Sequence, residues 1–207
     1  SFINFKKSNL VNRFRTVRYY RQSAIETRNC PPVMHVELTN VCNLKCSICP
    51  RTKMTRKQGF ISLELVDKII SETKNKAEFV TLNSWGESIL HPEIDIIGRK
   101  FKEAGFKIQL STNATLLTPE RQEKLMKSEI DVLLFSIDAT SEETYKKVRT
   151  GGDFKGTVNN IETFLNKVKS NKIPVNCVCQ LIYNKLNMVE AKTFREYWKK
   201  RGTNVWI

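Results

Sequence analysis

Three cysteines lie within eight residues: Cys42, Cys46 and Cys49, in the run Cys42-Asn43-Leu44-Lys45-Cys46-Ser47-Ile48-Cys49-Pro50-Arg51. Six Cys placed at random would give a C-x3-C-x2-C spacing with a probability of about 0.005, so the pattern is informative in itself. Clustered thiolates bind soft metals and iron–sulfur centres. Three of them can ligate three irons of a cubane cluster and leave the fourth iron without a protein ligand. An open position of that kind suits a catalyst, whereas an electron carrier would bring a fourth nearby Cys. Zinc is the competing reading. A structural zinc site takes four ligands, and the nearby His35 falls on a strand.

The rest of the chain must position those thiolates. Its 207 residues suffice for one sizeable domain with its own core. Hydrophobic residues at 40% and charged residues at 27% are ordinary for a globular protein. No stretch approaches the roughly 20 apolar residues of a membrane span. Basic residues interrupt the N-terminus throughout, so no signal peptide is expected. The expectation is a cytoplasmic protein, in which clustered Cys more often mean metal than disulfides. The closing triplet Val205-Trp206-Ile207 reads as a chain cut inside or just after a strand, hence as a piece of a longer protein.

A net charge of +14, from 35 Lys and Arg against 21 Asp and Glu, favours anionic partners or simply gives a solvated basic surface. Base-stacking motifs interleaved with basic residues are not evident, which disfavours nucleic acid.

Residues 2–29 read as a basic helix. Leu10, Phe14, Val17 and Tyr20 or Arg21 follow helical spacing among Lys6, Lys7, Arg13, Arg15, Arg18 and Arg28. Packing against the body is the expectation, with weak peripheral membrane contact as the alternative. Pro31-Pro32 marks the boundary, which divides the chain into an extension, 1–31, and a core, 32–207. From there strands and helices alternate. Strands are expected at 33–38, 78–82, 107–111, 131–137, 174–182 and 204–207. Helices are expected from Ser62, over 94–104, from Thr118-Pro119, over 154–169 and over 188–201. Six strands at about 30 residues per unit argue for βαβ crossovers and a parallel α/β sheet. A full eight-fold barrel typically needs about 250 residues, so a partial (β/α)6 TIM-like barrel or a doubly wound sheet is expected. Either places ligands at the C-terminal ends of the strands.

The cysteine run follows the first strand, and here the chain resembles the radical S-adenosylmethionine superfamily. The likeness runs from Pro32 onward. Trp85-Gly86-Glu87-Ser88 after strand two looks like the family's Gly-Gly-Glu-Pro, departing from it at Trp85 and Ser88. Ser111-Thr112-Asn113-Ala114 resembles its Thr-Asn-Gly. Ser136-Ile137-Asp138-Ala139 resembles its Ser-x-Asp-Gly. Tyr145 to Arg149, then Gly151-Gly152-Asp153-Phe154, resembles a stretch whose Arg pairs with the methionine carboxylate.

The resemblance implies a [4Fe–4S] cluster on Cys42, Cys46 and Cys49. It implies S-adenosylmethionine held by Gly86, Glu87, Ser88, Asn113, Ser136, Asp138 and Arg149. The activity it implies is reductive cleavage of S-adenosylmethionine to a 5′-deoxyadenosyl radical that abstracts hydrogen from substrate. The partner it implies is a reduced flavodoxin- or ferredoxin-type electron donor. The loop most resembles members with a C-terminal SPASM or twitch domain carrying auxiliary clusters, which nothing in this chain supplies. Ile48 stands where many peptide maturases of the family carry an aromatic. That favours a sugar-like or aminocyclitol small molecule, dehydrogenated or epimerised, with a peptide as the alternative. An iron–sulfur electron carrier and a degenerate barrel acting as a binding module are the competing classes.

Other residues have plainer readings. His91 is read as structural. Cys177 and Cys179 share one face of strand five and are read as buried small residues. Gln180 and Asn184 are placed towards the functional end of that strand. Glu37 is placed at the end of strand one, where a buried carboxylate needs partners. Lys45 and Arg51 flank the cysteines and could receive an acidic donor or simply face solvent.

Overall fold

The computed structural model describes residues 10–207. Six strands form one sheet in the order β1-β2-β3-β4-β5-β6, every neighbouring pair parallel. They are β1 (Val33–His35), β2 (Phe79–Thr81), β3 (Lys107–Thr112), β4 (Val132–Ser136), β5 (Asn176–Gln180) and β6 (Asn204–Trp206). Consecutive order without a switch point is the order of a barrel wall, not of a doubly wound sheet. Every strand except β3, which runs one residue past its expected end, is shorter than its expected range, because hydropathy continues into loops that have left the ladder.

Helices α2 (Leu63–Thr73), α3 (Ile94–Glu103), α4 (Pro119–Lys127), α5 (Glu142–Val148), α6 (Phe154–Ser170) and α7 (Ala191–Lys200) connect the strands. Their starts are written in the sequence. Ser62, Thr118 and Ser141 each cap a first turn by accepting a backbone N–H, and Asp153 caps α6 with two. Helix α5 was not expected as a separate element. At seven residues it is too short to show a period, and only its Ser141 cap and acidic first turn announce it.

Strand parity sorts side chains between the two faces. Leu133, Phe135, Cys177 and Cys179 join Phe164, Phe194 and Trp198 in the main core under the helices. Val132, Leu134 and Val178 form a second cluster with Trp206 on the opposite face. Ser136 and Gln180 continue that second row to the C-terminal strand ends.

The N-terminal helix α1 (Leu10–Arg21) meets the body through polar groups. Asn12 Nδ2 donates to the carbonyls of Cys30 and Lys76 at 2.7 and 2.9 Å. Arg13 grips Glu78 with two hydrogen bonds, 2.9 and 2.7 Å. Leu10, Phe14 and Val17, expected to face the body, are exposed. Capture of backbone carbonyls and of the nearly buried Glu78 carboxylate fixes the rotation of the helix, and no apolar surface competes for it. Lys6 and Lys7, assigned to the same helix from sequence, lie outside the described residues. No helix among the described residues is long and apolar enough to cross a membrane.

Candidate functional site

A cavity of about 330 Å³ opens at the C-terminal ends of the strands. Its wall takes Cys42, Cys46 and Cys49 from the loop after β1, and Asn83 to Glu87 from the loop after β2. It takes Ser111 to Asn113 from β3, Ser136 from β4, Arg149 from the end of α5, and Gln180 and Ile182 from β5 and beyond. Residues more than a hundred positions apart thus meet at one rim.

The cysteine loop is strapped on both sides. Lys45 and Ser47 donate their backbone N–H groups to the carbonyls of Thr150 and Val148, at 3.0 and 3.1 Å. Ser47 Oγ donates to Lys147 O at 2.9 Å. Arg51 donates to Leu44 O at 2.7 Å, so its side chain braces the loop. Leu44 is buried and anchors the loop between the cysteines. Further on, Thr39 and Phe60 form an antiparallel bridge, and Asn40 ties Lys57 and Gly59 back to the start of the loop.

Gly86 has no room for a side chain. A Cβ there would stand 2.0 Å from Thr39 O and 2.9 Å from Val41 O. Glu87 N–H donates to Val41 O at 2.8 Å, which locks the β2 loop onto the entry to the cysteine loop. The Glu87 side chain is buried, and its Oε2 accepts the Asn113 backbone N–H at 2.7 Å. Burial pushes its carboxyl above the ordinary range, against the hydrogen bond from Asn113. Asn113 Nδ2 donates to Asn43 Oδ1 at 3.1 Å and approaches Cys42 Sγ at 3.8 Å.

Arg149 is the only cation at the inner wall among the described cavity residues other than Arg51. Its guanidinium pairs with Asp138, donates to Ser136 Oγ, and reaches Cys46 Sγ at 3.6 Å. Burial opposes its charge, but Asp138 and Cys46 outweigh that and raise its pKa. Burial pushes the Asp138 carboxyl up, and Arg149 pulls it back. A guanidinium stays charged at any accessible pH, so Asp138 always faces a cation. Burial likewise raises the Cys42 thiol, against the Leu44 N–H that donates to it.

Gly86, Glu87, Asn113, Ser136 and Arg149 therefore all line the cavity with the three cysteines. Ser88 and Asp138 do not. The Ser88 hydroxyl donates to Leu82 O at 2.7 Å and closes the turn that starts at that residue. Asp138, at φ 63°, accepts the Ile182 N–H at 2.6 Å and stands behind Arg149. Of the residues placed on strand five, Gln180 reaches the cavity. Asn184 does not, because its amide is used by Ile182 O and Leu186 N–H in its own turn.

His91 is structural: its ring bridges Ile61 O and the Glu93 N–H. Glu37 is half-buried, not buried as expected, and is partnered by Arg56 at 2.8 Å and the Trp85 N–H at 3.4 Å. Cys177 and Cys179 are buried. Asn83 and Thr52 also line the cavity and carried no signal beyond being polar residues in strand-end loops.

Three wall residues carry buried polar atoms without a protein partner: Asn83 Oδ1, Glu87 Oε1 and Arg149 Nε. A donor and two acceptors left open at one cavity suit a ligand bearing both amino and carboxylate groups. Among the described residues, no three His, Cys, Asp or Glu side chains group closely enough to hold a single metal ion. A cubane cluster asks something different, because each thiolate reaches its own iron. The donor set on this cavity fits a cluster with an adjoining amino-acid-like ligand.

A parallel barrel wall with three such cysteines after its first strand defines a radical S-adenosylmethionine core. The Radical SAM superfamily model matches residues 36–193, and the chain belongs to that superfamily. Its cofactors are a [4Fe–4S] cluster and S-adenosylmethionine. The chain is 33% identical over 140 residues to an AdoMet-dependent heme synthase of Methanosarcina barkeri, covering 67% of this chain and 40% of that protein. It is 31% identical over 151 residues to a probable GTP 3′,8-cyclase of Methanococcus maripaludis, covering 69% and 49%. The fold is similar to that of Streptococcus suis SuiB bound to S-adenosylmethionine, with a TM-score of 0.66 at 19% identity over 90% of this chain and 42% of that one. The chain thus spans less than half the length of these relatives.

Proposed function

We propose that Cys42, Cys46 and Cys49 hold the cluster and that the cavity beside them holds S-adenosylmethionine. The enzyme cleaves that cofactor reductively and removes hydrogen from a small hydroxyl-bearing substrate. The observation that carries this reading is the convergence of the three cysteines with the open polar atoms of Glu87 and Arg149 at one strand-end cavity. When bound, the reduced cluster would supply one electron to the S–C5′ bond of S-adenosylmethionine, which would part into methionine and a 5′-deoxyadenosyl radical.

The chain's own residues orient and exclude. Arg149 Nε, unpartnered and buried, offers a charge-assisted hydrogen bond to the methionine carboxylate. Ser136 and Asn113 lie at the rim where the ribose and adenine would pass. Gly86 lets the β2 loop pack directly on the Thr39 and Val41 carbonyls, and so sets that loop beside the cysteines where it would hold the amino group. Ser88 and Asp138 act from behind, one by shaping that loop and the other by aiming Arg149.

Thr52, Asn83, Ser84 and Gln180 give the cavity uncharged donors and acceptors, which suit the hydroxyls of a sugar or aminocyclitol. A peptide substrate is the second reading, favoured by the likeness to SuiB, solved with precursor peptide SuiA. Exposed Lys45 beside the cysteines suits an acidic electron donor of flavodoxin or ferredoxin type. All six cysteines are free, as a reducing cytoplasm would keep them. A C-terminal SPASM-type domain would complete the protein, with residues 1–31 as an extension to a core over 32–207.

The test is deuterium transfer. The anaerobically reconstituted protein is given dithionite, S-adenosylmethionine and perdeuterated aminocyclitols or peptides. The proposal expects 5′-deoxyadenosine carrying deuterium from the aminocyclitol. Deuterium arriving only from peptide overturns the substrate class.

A further inference from the structure

Arg149 is fixed from behind. Its Nη2 serves both Asp138 and Ser136. Asp138 is itself immobilised: Ile182 N–H donates to its Oδ1 at 2.6 Å, and Asn187 Nδ2 donates to its carbonyl at 3.0 Å. Those restraints leave Nη1 aimed at Cys46 Sγ, 3.6 Å away. The residue is 8% exposed, so solvent screens its charge little. On the other side of the loop, Cys42 Sγ receives the Leu44 N–H at 3.5 Å and Asn113 Nδ2 at 3.8 Å. One cysteine of the triad therefore takes its hydrogen bond from a buried cation, and another takes its hydrogen bonds from neutral amides.

We propose that Arg149 sets the reduction potential of the cluster through its N–H···S contact to Cys46, before any cofactor binds, and that Asn113 makes a smaller contribution through Cys42. Reduction adds one negative charge to the cluster. A fixed cation beside a ligand sulfur stabilises that added charge, and hydrogen bonds to the sulfurs act in the same sense. The potential therefore rises with Arg149 in place. A neutral amide does this more weakly than a guanidinium. Asp138, anionic and behind Arg149, partly offsets the cation, so the pair sets the potential as a balance. This role is separate from a contact between Arg149 and the methionine carboxylate. It operates in protein free of cofactor, and it uses Nη1 where the carboxylate contact uses Nε. It rests on the reading that Cys46 ligates the cluster.

The experiment is a redox titration of the reconstituted protein without S-adenosylmethionine, followed by electron paramagnetic resonance, with iron counted in each sample. Arg149→Gln is expected to move the midpoint negative, shifting the reduction equilibrium about tenfold, or about 59 mV for one electron. Asp138→Asn, whose Oδ1 still accepts the Ile182 N–H, is expected to move it positive. Asn113→Ala should move it negative by less than Arg149→Gln, and Arg149→Lys should recover most of the loss. An unchanged midpoint in Arg149→Gln at full iron content overturns the proposal. Where that variant fails to load iron, an unchanged midpoint in Asp138→Asn overturns it equally. Full iron content in Cys46→Ala would instead sink the underlying reading of the ligands, and the iron count reports that separately.

Discussion

The backbone N–H of Asn113 donates to the buried carboxylate of Glu87 at 2.7 Å, joining the loops after β3 and β2 across the cavity. The Thr112 side chain adds a second hydrogen bond to the same carboxylate. Replacing Glu87 by Ala leaves that N–H buried and unsatisfied, at a cost of about 1–3 kcal/mol. Thermal melts of the apo protein should show the loss. Glu87→Gln keeps an acceptor oxygen and should melt closer to the parent.

Gly86 is the least replaceable residue of the site. Gly86→Ala drives a Cβ into the Thr39 carbonyl, where backbone and not a flexible side chain must yield. The expected outcome is a displaced β2 loop, with cofactor affinity reduced at least tenfold by equilibrium dialysis. Iron loading should fall as well, because the same Cβ meets the carbonyl of Val41, the neighbour of Cys42.

Cys177 and Cys179 should be chemically silent in the native protein. Burial pushes the Cys177 thiol up to about 12 and that of Cys179 further still. At pH 8 neither carries appreciable thiolate, the species that alkylates. Iodoacetamide followed by peptide mapping should label both only after denaturation. The sign for stability follows from linkage. A raised thiol pKa favours the protonated native form, so this contribution is intact below pH 9 and declines as pH rises from 9.0 towards 12. Cys177→Ala should flatten that alkaline decline.

The barrel and much of the site were legible in the sequence because period-two patterning fixes which way strand residues face. The spacing of Ser136 from Val132 and Leu134 puts it on the cavity row, and the same parity sends Cys177 and Cys179 under the helices. The cysteine triplet needed no structure to be noticed. What could not be read depends on contacts distant in sequence. Ser88 is taken by a carbonyl six residues back, Asp138 by residues in the loop after β5, and Glu37 by Arg56. The rotation of α1 followed Asn12 and Arg13, which find their partners more than sixty residues on at Lys76 and Glu78, and not its apolar spacing.

That rotation is itself testable. Arg13→Ala removes two charge-assisted hydrogen bonds to Glu78, each of a kind worth roughly 1.5–3 kcal/mol. The segment between α1 and Cys30 should then be cut several-fold faster by trypsin, while cluster loading at the far end of the strands stays at the parent level.

The central claim is that three cysteines and no fourth hold a cluster that cleaves S-adenosylmethionine. Its most direct measurement is the yield of 5′-deoxyadenosine per chain after anaerobic reconstitution and dithionite reduction, in the parent and in Cys42→Ala, Cys46→Ala and Cys49→Ala. The account predicts product from the parent and none from the three variants, each of which loses iron. A parent protein that carries a full complement of iron and sulfide yet forms no 5′-deoxyadenosine would contradict it.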